Sequence, residues 1–473
     1  MKKLLLIFAS FNSFSQQKVY QRDRIEEIDK ISKYYPSLNK INLVDNKGDF
    51  KSTELEQRRI IYDFTKFARN NNINLPESDW NKYIPVEFFI NQNGKIDYFV
   101  YGFNWLPEQR KVFRTGKNFM FDTLNVEQKG IFEKLAQDFC NTYLFTEMKE
   151  KKNFSFNVSI TFGKEQRKPR KNYISTIEMA QNCDQPDTVK TLMLNKLYLE
   201  VFPEVVFRFK NLEKLDLSDN YIEQVPKKIN DFKKLKFLSL SGNFIDYSSL
   251  KFKSNKHLKD LNLQYTGMTK MPKSIKKNRN LEILFVGNNR IIFAINDFKK
   301  LTELKSLNLY NVKTTYLPKS IKKLQNLYEL DLYHNELQFL PKEICSLKSL
   351  KTLAIAHNQL WDLPQEMAQM PKLEILYAHH NRLNSLPNLP NLKLLDVGYN
   401  LFKVFPEQIY SLKNLEEFDI TNNQIKDVPE QLLKLEKLQK VFIRGNKFQE
   451  IDEKNEKLSK LVANLEQRQV LVR

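Results

Sequence analysis

One spacing constrains this chain more than any other property. From Leu192 to Val441 an LxLxxN-type unit begins at 192, 215, 238, 261, 284, 307, 330, 353, 376, 395, 418 and 441, every step being 23 residues except the 19 between 376 and 395. Residues 212–234 (LEKLDLSDNYIEQVPKKINDFKK) and 327–349 (LYELDLYHNELQFLPKEICSLKS) show the whole unit. A fixed period of this size means a stacked array, because one unit cannot bury an apolar face alone and neighbouring copies must do it for one another. Within LxL the side chains alternate sides as in a strand, so Leu215 and Leu217 are expected in the core and Asp216 outside. One strand per unit, stacked in register, predicts a parallel sheet.

Nine of the twelve units carry the asparagine of LxLxxN, at 220, 243, 289, 335, 358, 381, 400, 423 and 446; Leu197, Thr266 and Val312 replace it in the others, where looser or apolar turns are expected. A proline follows at Leu317-Pro318, Leu340-Pro341, Leu363-Pro364 and Leu386-Pro387, fixing φ where the chain starts back. Units three (FIDYSSLKF) and five (IIFAINDF) lack it and must turn differently, and the short unit (RLNSLPNLPNLKLL) has no room for a helical turn.

These motifs resemble the leucine-rich repeat family over roughly residues 188–448. The resemblance implies an α/β fold: a right-handed solenoid with a curved parallel β-sheet, a buried asparagine ladder, and recognition of a protein partner by the concave face of the sheet. The organisation expected is a signal peptide over 1–15, an α+β module over 16–175, twelve repeats over 176–448 and a helical cap over 449–473. Ile177, Met179 and Ala180 would cover the first strand, and Leu458, Leu461 and Leu465 the last.

Lys2 and Lys3 precede the apolar run 4–11, and Ser13 and Ser15 offer small residues at a cleavage site before Gln16. Export to the periplasm or exterior of a bacterium is therefore expected. No later stretch reaches the roughly 18 apolar residues that span a bilayer. The module shows a helix pattern over 22–33, an amphipathic helix from Glu54 to Asn70, and a hairpin about Asn93-Gly94. A second helix carrying Phe132, Leu135 and Phe139 follows, then a strand over 154–163. The segments PVEFFINQNGKIDYF and FNVSITF look similar to the C-terminal module of TonB-type energy transducers, which shares the order hairpin, helix, strand.

No sequence spacing supports an enzyme. Eleven glycines in 473 residues leave little material for phosphate-cradling loops, and P-loop, HExxH and GxSxG patterns are missing. Cys140, Cys183 and Cys345 form no CxxC pair or even-numbered framework and read as small core residues.

The candidate site is instead the outward side of the strands. One column reads Asn288, Asn311, His334, His357, His380, Tyr399, Asn422; the next contains Tyr310, Tyr333 and His379; a third contains Asp331, Tyr377 and Asp396. Four of the five histidines of the chain fall in three consecutive units beside these tyrosines, the composition of an interaction hot spot. Adjacent imidazoles should disfavour one another's charging. A straight column presents its imidazoles in a row rather than around a tetrahedral ion, so neither a metal nor any other cofactor is expected.

Charge is equally localised. Residues 227–323 hold 22 Lys and Arg against 6 Asp and Glu, a net +16 within a chain of +20. Lys273, Lys276, Lys277, Lys322 and Lys323 are the candidates for contact with an anionic glycan or envelope surface. Nucleic acid is not expected, since no aromatic residues interleave the basic run. The primary expectation is a monomeric, non-enzymatic protein-binding scaffold.

Overall fold

The computed structural model describes residues 19–21, 53–70, 82–91, 93, 95–101, 126–143, 154–162, 173–427, 429–448 and 452–473. The chain divides into two compact units, Met1–Lys168 and Pro169–Arg473. The helix expected over 22–33 and the leader over 1–15 lie outside the described residues.

In the first unit a four-stranded sheet has the order β1-β3-β2-β4, from Val19–Gln21 (β1), Lys82–Ile90 (β2), Ile96–Tyr101 (β3) and Phe154–Phe162 (β4). Helices Thr53–Asn70 (α1) and Val126–Thr142 (α2) complete it. In α1 the buried Ile60, Phe64 and Ala68 recur every four residues, one helical face. Phe64 packs its ring 5.7 Å from Phe99, 6.1 Å from Phe132 and 5.1 Å from Phe139, so strand and both helices share one aromatic core. The hairpin is present, but the organising residue is Asn91. Its Oδ1 accepts from the N–H groups of Asn93 and Lys95 while its Nδ2 donates to Asp97 at 2.7 Å, an Asx arrangement that closes a loop longer than two residues. Strand β1, too short for its pattern to register, pairs in parallel with β3.

The second unit carries a thirteen-stranded, all-parallel sheet running from Thr191–Met193 (β5) to Leu471–Val472 (β17). Every expected LxL segment supplies one strand, and the first leucines pair in register: Leu192 with Leu215, Leu307 with Leu330, and Leu376 with Leu395 across the short unit. The core is continuous, with Leu330, Leu332, Leu353, Ile355 and their equivalents fully buried.

On the return side, prolines 203, 226, 318, 341, 364, 406 and 429 each sit at the start of a five-residue 3₁₀ turn, with φ between −54° and −83°. The proline-less units use an aspartate instead. In unit three the Asp246 side chain accepts from Ser248 N–H at 2.9 Å. In unit five Asp297 Oδ2 accepts from Ala294 N–H at 2.7 Å, and Oδ1 pairs with Lys276 Nζ at 2.8 Å. The short unit, as expected, has no helical turn between its strand, Ile375–Tyr377, and the following one, Leu394–Asp396.

The asparagine ladder is cement between units. Asn243 Nδ2 donates to Leu217 O of the preceding unit and to Leu240 O of its own, while its Oδ1 accepts from Ile222 N–H. Asparagine fits because it alone presents donors and an acceptor from one short planar group. Where it is missing, the expectation of an apolar turn holds for Val312, which is fully buried, and for Leu197, packed partly buried against the core. Thr266 differs: its hydroxyl donates to Leu263 O at 2.7 Å. All three units share one consequence, a positive φ at the next residue (Tyr198, Gly267, Lys313). In two of them alternate N–H groups converge on the next asparagine: Leu197 and Leu199 on Asn220, Thr266 and Met268 on Asn289.

Both ends are closed. Helix Ile177–Gln181 (α3) buries Ala180, with Ile177 and Met179 packed partly buried. Helix Asp452–Gln467 (α4) buries Leu458, Leu461 and Leu465. A guanidinium ties each end down: Arg208 donates to Ala180 O and Cys183 O, and Arg468 to Leu433 O and Leu435 O. Strand β17, beyond α4, continues the sheet by pairing with Lys440–Phe442 (β16), which the reading of residues 449–473 as a helix alone did not foresee. Among the described residues no helix is long and apolar enough to cross a membrane.

Candidate functional site

The residues in question leave the C-terminal ends of Ser306–Asn308 (β10), Glu329–Asp331 (β11), Thr352–Ala354 (β12), Ile375–Tyr377 (β13) and Leu394–Asp396 (β14). Exact register makes each sequence column a physical column. His334 stacks on His357 at 4.3 Å between ring centroids, His357 on His380 at 4.1 Å, and His380 on Tyr399 at 4.1 Å. Tyr310 stacks on Tyr333 at 5.7 Å in the next column. The two columns interlock: Tyr333 meets His334 at 4.5 Å and His379 at 5.5 Å, and His379 meets His380 at 5.1 Å. The candidates Tyr310, Tyr333, His334, His357, His379, His380 and Tyr399 are thus one cluster. Asp396 borders it, its Oδ2 being 3.9 Å from His379 Nε2. Asp331 instead joins a polar row, accepting from Asn308 Nδ2 at 2.7 Å and Tyr333 N–H at 2.9 Å. No ring contact joins Tyr377 to the cluster among those described, although it is half-buried on the same sheet face.

Backbone geometry explains part of this composition. The column residue just before the ladder position has a left-handed φ throughout: 54° at Asn288, 58° at His334, 51° at His357, 53° at His380 and at Tyr399, 52° at Asn422. Among residues with side chains, asparagine, aspartate and histidine tolerate that region best, so the turn itself admits histidine at 334, 357 and 380. It does not ask for tyrosine at 399, and it exerts no such demand on His379, one position earlier.

Burial dominates the electrostatics. It holds His357 down to about 4, with the neighbouring imidazoles adding to the effect, and it lowers His334, His379 and His380 as well. Mutual repulsion, the cause expected from the sequence, is therefore the lesser one. Burial and the charge of Asp419 push Asp396 up to about 7, and burial also raises Asp331. At neutral pH the four imidazoles of the cluster are thus mostly uncharged.

The basic candidates separate. Lys273, Lys277, Lys322 and Lys323 are exposed on the return side. Lys276 is not available for an external anion: its ammonium is committed to Asp297, which is 2% exposed. Sequence spacing missed this because the acid lies 21 residues away, on the next unit.

Cys345 is buried, and burial pushes its thiol up to about 11. At pH 8 only about one molecule in a thousand carries the thiolate. Iodoacetamide at that pH should leave Cys345 unmodified in the native chain, as peptide mass mapping would read, and alkylate it once the chain is denatured. Labelling of Cys345 in the native chain would contradict its placement.

Leucine-rich repeat family models match residues 292–380, as a leucine-rich repeat region, and residues 187–245 and 390–448, as leucine rich repeat. No curated protein matches the chain. Solved structures that it is similar to include a leucine-rich repeat protein of Leptospira interrogans, at 24% identity over 64% of this chain and 100% of that one, with a TM-score of 0.47. A second is the ectodomain of a membrane receptor kinase from Arabidopsis thaliana in complex with Casparian strip integrity factor 2, at 25% identity, 58% and 34% coverage, and a TM-score of 0.48. A third is an internalin from Listeria monocytogenes, at 19% identity, 57% and 80% coverage, and a TM-score of 0.42. With the period, the one-strand-per-unit parallel sheet, the asparagine ladder and the family models all falling on the same residues, the chain is a leucine-rich repeat protein.

Proposed function

We propose that this protein is an exported, non-enzymatic scaffold that recognises a protein partner through the Tyr/His cluster on the sheet face. The observation that carries the reading is the interlocked pair of ring columns, Tyr310–Tyr333–His379 beside His334–His357–His380–Tyr399. These rings are held in place by stacking, so little side-chain entropy is lost when they are covered. The imidazoles among them are mostly uncharged at physiological pH, so desolvating them costs less than desolvating charge. Aromatic anchors with a few polar groups at their margin, here Asp331 and Asp396, suit a protein surface better than an anionic polymer.

The net charge of +16 over residues 227–323 supports a second surface, on the return side, for an anionic glycan or envelope component. One experiment separates the two. Replacing Tyr310 and Tyr333 together by alanine should weaken capture of the protein partner from envelope extract by about 1,000-fold, on the order of two hot-spot residues, and leave retention on an anionic resin unchanged. Replacing Lys273, Lys277, Lys322 and Lys323 by glutamate should do the reverse, with retention falling as salt rises. Undiminished capture by the tyrosine variant would defeat the first reading.

A further inference from the structure

Along one column His334, His357 and His380 stand in a row, an arrangement that does not surround a tetrahedral ion. The three-dimensional arrangement supplies a different triangle. His357, His379 and His380 each offer one ring nitrogen, and these three atoms lie within 4.8 Å of one another. The third ligand comes from the neighbouring column rather than from further along the ladder. We propose that His357, His379 and His380 form a binding site for a divalent cation of the zinc class, with the fourth position open to solvent on the sheet face.

The atoms support this in detail. His379 Nδ1 and His380 Nδ1 are 2.8 Å apart. In a tetrahedral zinc site, with Zn–N of about 2.05 Å, ligand nitrogens stand about 3.3 Å apart. Closing the triangle therefore needs more than a shift of nitrogens by about 1 Å: the His357 and His380 rings are stacked within 12°, a ring nitrogen binds in its ring plane, and one of the two rings must turn out of the stack for both to face the same ion. With Nδ1 of His379 on the metal, its Nε2 must carry the proton, and Nε2 is the atom turned to Asp396 Oδ2 at 3.9 Å. A carboxylate hydrogen-bonded behind a ligating imidazole fixes its tautomer and orientation; at 3.9 Å Asp396 is short of that bond, and the turn of His379 that brings Nδ1 to the metal would have to close the gap for Asp396 to act as a positioning residue. Three imidazoles with an open position suit Zn2+, Cu2+ or Ni2+ rather than Mg2+ or Ca2+, which prefer oxygen. Turn chemistry accounts for histidine at 357 and 380 but not at 379, so His379 is the residue that only a side-chain role explains. The site does not rest on the partner reading, because the metal is measured on the chain alone.

The test is titration of Zn2+ into the untagged, chelator-treated full chain at pH 7.5 by calorimetry, with Co2+ absorption as the readout of geometry. One ion per chain and a four-coordinate Co2+ spectrum are expected. Asparagine occupies the same left-handed position at 288, 311 and 422, so His357→Asn and His380→Asn remove a ligand while keeping the turn. Each of these, and His379→Ala, should weaken Zn2+ by about 100-fold or more, and Asp396→Asn by about 10-fold. His334→Asn, in the column but outside the triangle, should leave affinity unchanged. Thermal melting of each variant without metal separates loss of the site from loss of the fold. Absence of Zn2+ binding, or a loss on His334→Asn equal to that on His379→Ala, overturns the proposal and leaves the 2.8 Å contact as a hydrogen bond between two rings.

Discussion

Replacing Asn289 by alanine is expected to destabilise the repeat array by about 3–5 kcal/mol, far more than an ordinary polar substitution. Asn289 is 2% exposed. Its Nδ2 donates to Leu263 O, Val286 O and Gly287 O, and its Oδ1 accepts from Thr266 N–H and Met268 N–H, both at 3.0 Å. Leu263 O would keep the Thr266 hydroxyl and Gly287 O would keep Tyr265 N–H. Val286 O and the two amides would be left without a partner in a dry interior, at about 1–3 kcal/mol each, partly offset by water entering the gap. Asn358 provides the comparison: it is half-buried and its Oδ1 accepts only from Leu337 N–H. Asn358→Ala should therefore cost about 1–2 kcal/mol. Guanidinium unfolding followed by circular dichroism reads the difference. Because repeat stability is largely a sum of nearest-neighbour interfaces, the Asn289 variant should also split the transition between units four and five. Equal costs for the two variants would mean that the ladder does not bear the load assigned to it.

The period made the array legible because every unit repeats the same burial problem: a 23-residue step aligns Leu192, Leu215 and ten equivalents whatever lies between them. Prolines were equally readable, since φ is a property of the residue itself. What escaped is whatever depends on one unit's chemistry meeting another's. Asp297 reads as a loop acid until unit four supplies Lys276. The metal-shaped triangle is invisible along a single column, because His379 reaches His380 and His357 across two columns. Strand β17 was missed for a related reason: its two residues carry no alternation of their own and exist because the last repeat offers an unpaired edge. Asn91, likewise, outranks the Asn93-Gly94 pair only because its side chain can reach two amides and Asp97 at once.

Lys276→Glu should cost about 3–5 kcal/mol, while the same change at Lys273 or Lys277 stays within about 0.5 kcal/mol, although all three lie within one basic run. Lys276 Nζ sits 2.8 Å from Asp297 Oδ1, and Asp297 Oδ2 holds Ala294 N–H, so this one carboxylate shapes the turn that proline makes in other units. A glutamate at 276 removes the counter-ion of a buried charge and adds a like charge beside it. The turn over 294–297 and the Phe298 it delivers to the core, fully buried, would be released together. Exposed Lys273 and Lys277 have no such obligation. The double variant Lys276→Met with Asp297→Asn should recover most of the loss, since asparagine retains an acceptor for Ala294 N–H and neither side chain is charged. Thermal unfolding of the four proteins measures this directly. If Lys276→Glu melts with Lys277→Glu, the ion pair is ornamental. If it melts well below, a loss of anion binding on changing Lys276 reports a broken turn, and the anionic surface must be tested with Lys273, Lys277, Lys322 and Lys323 alone.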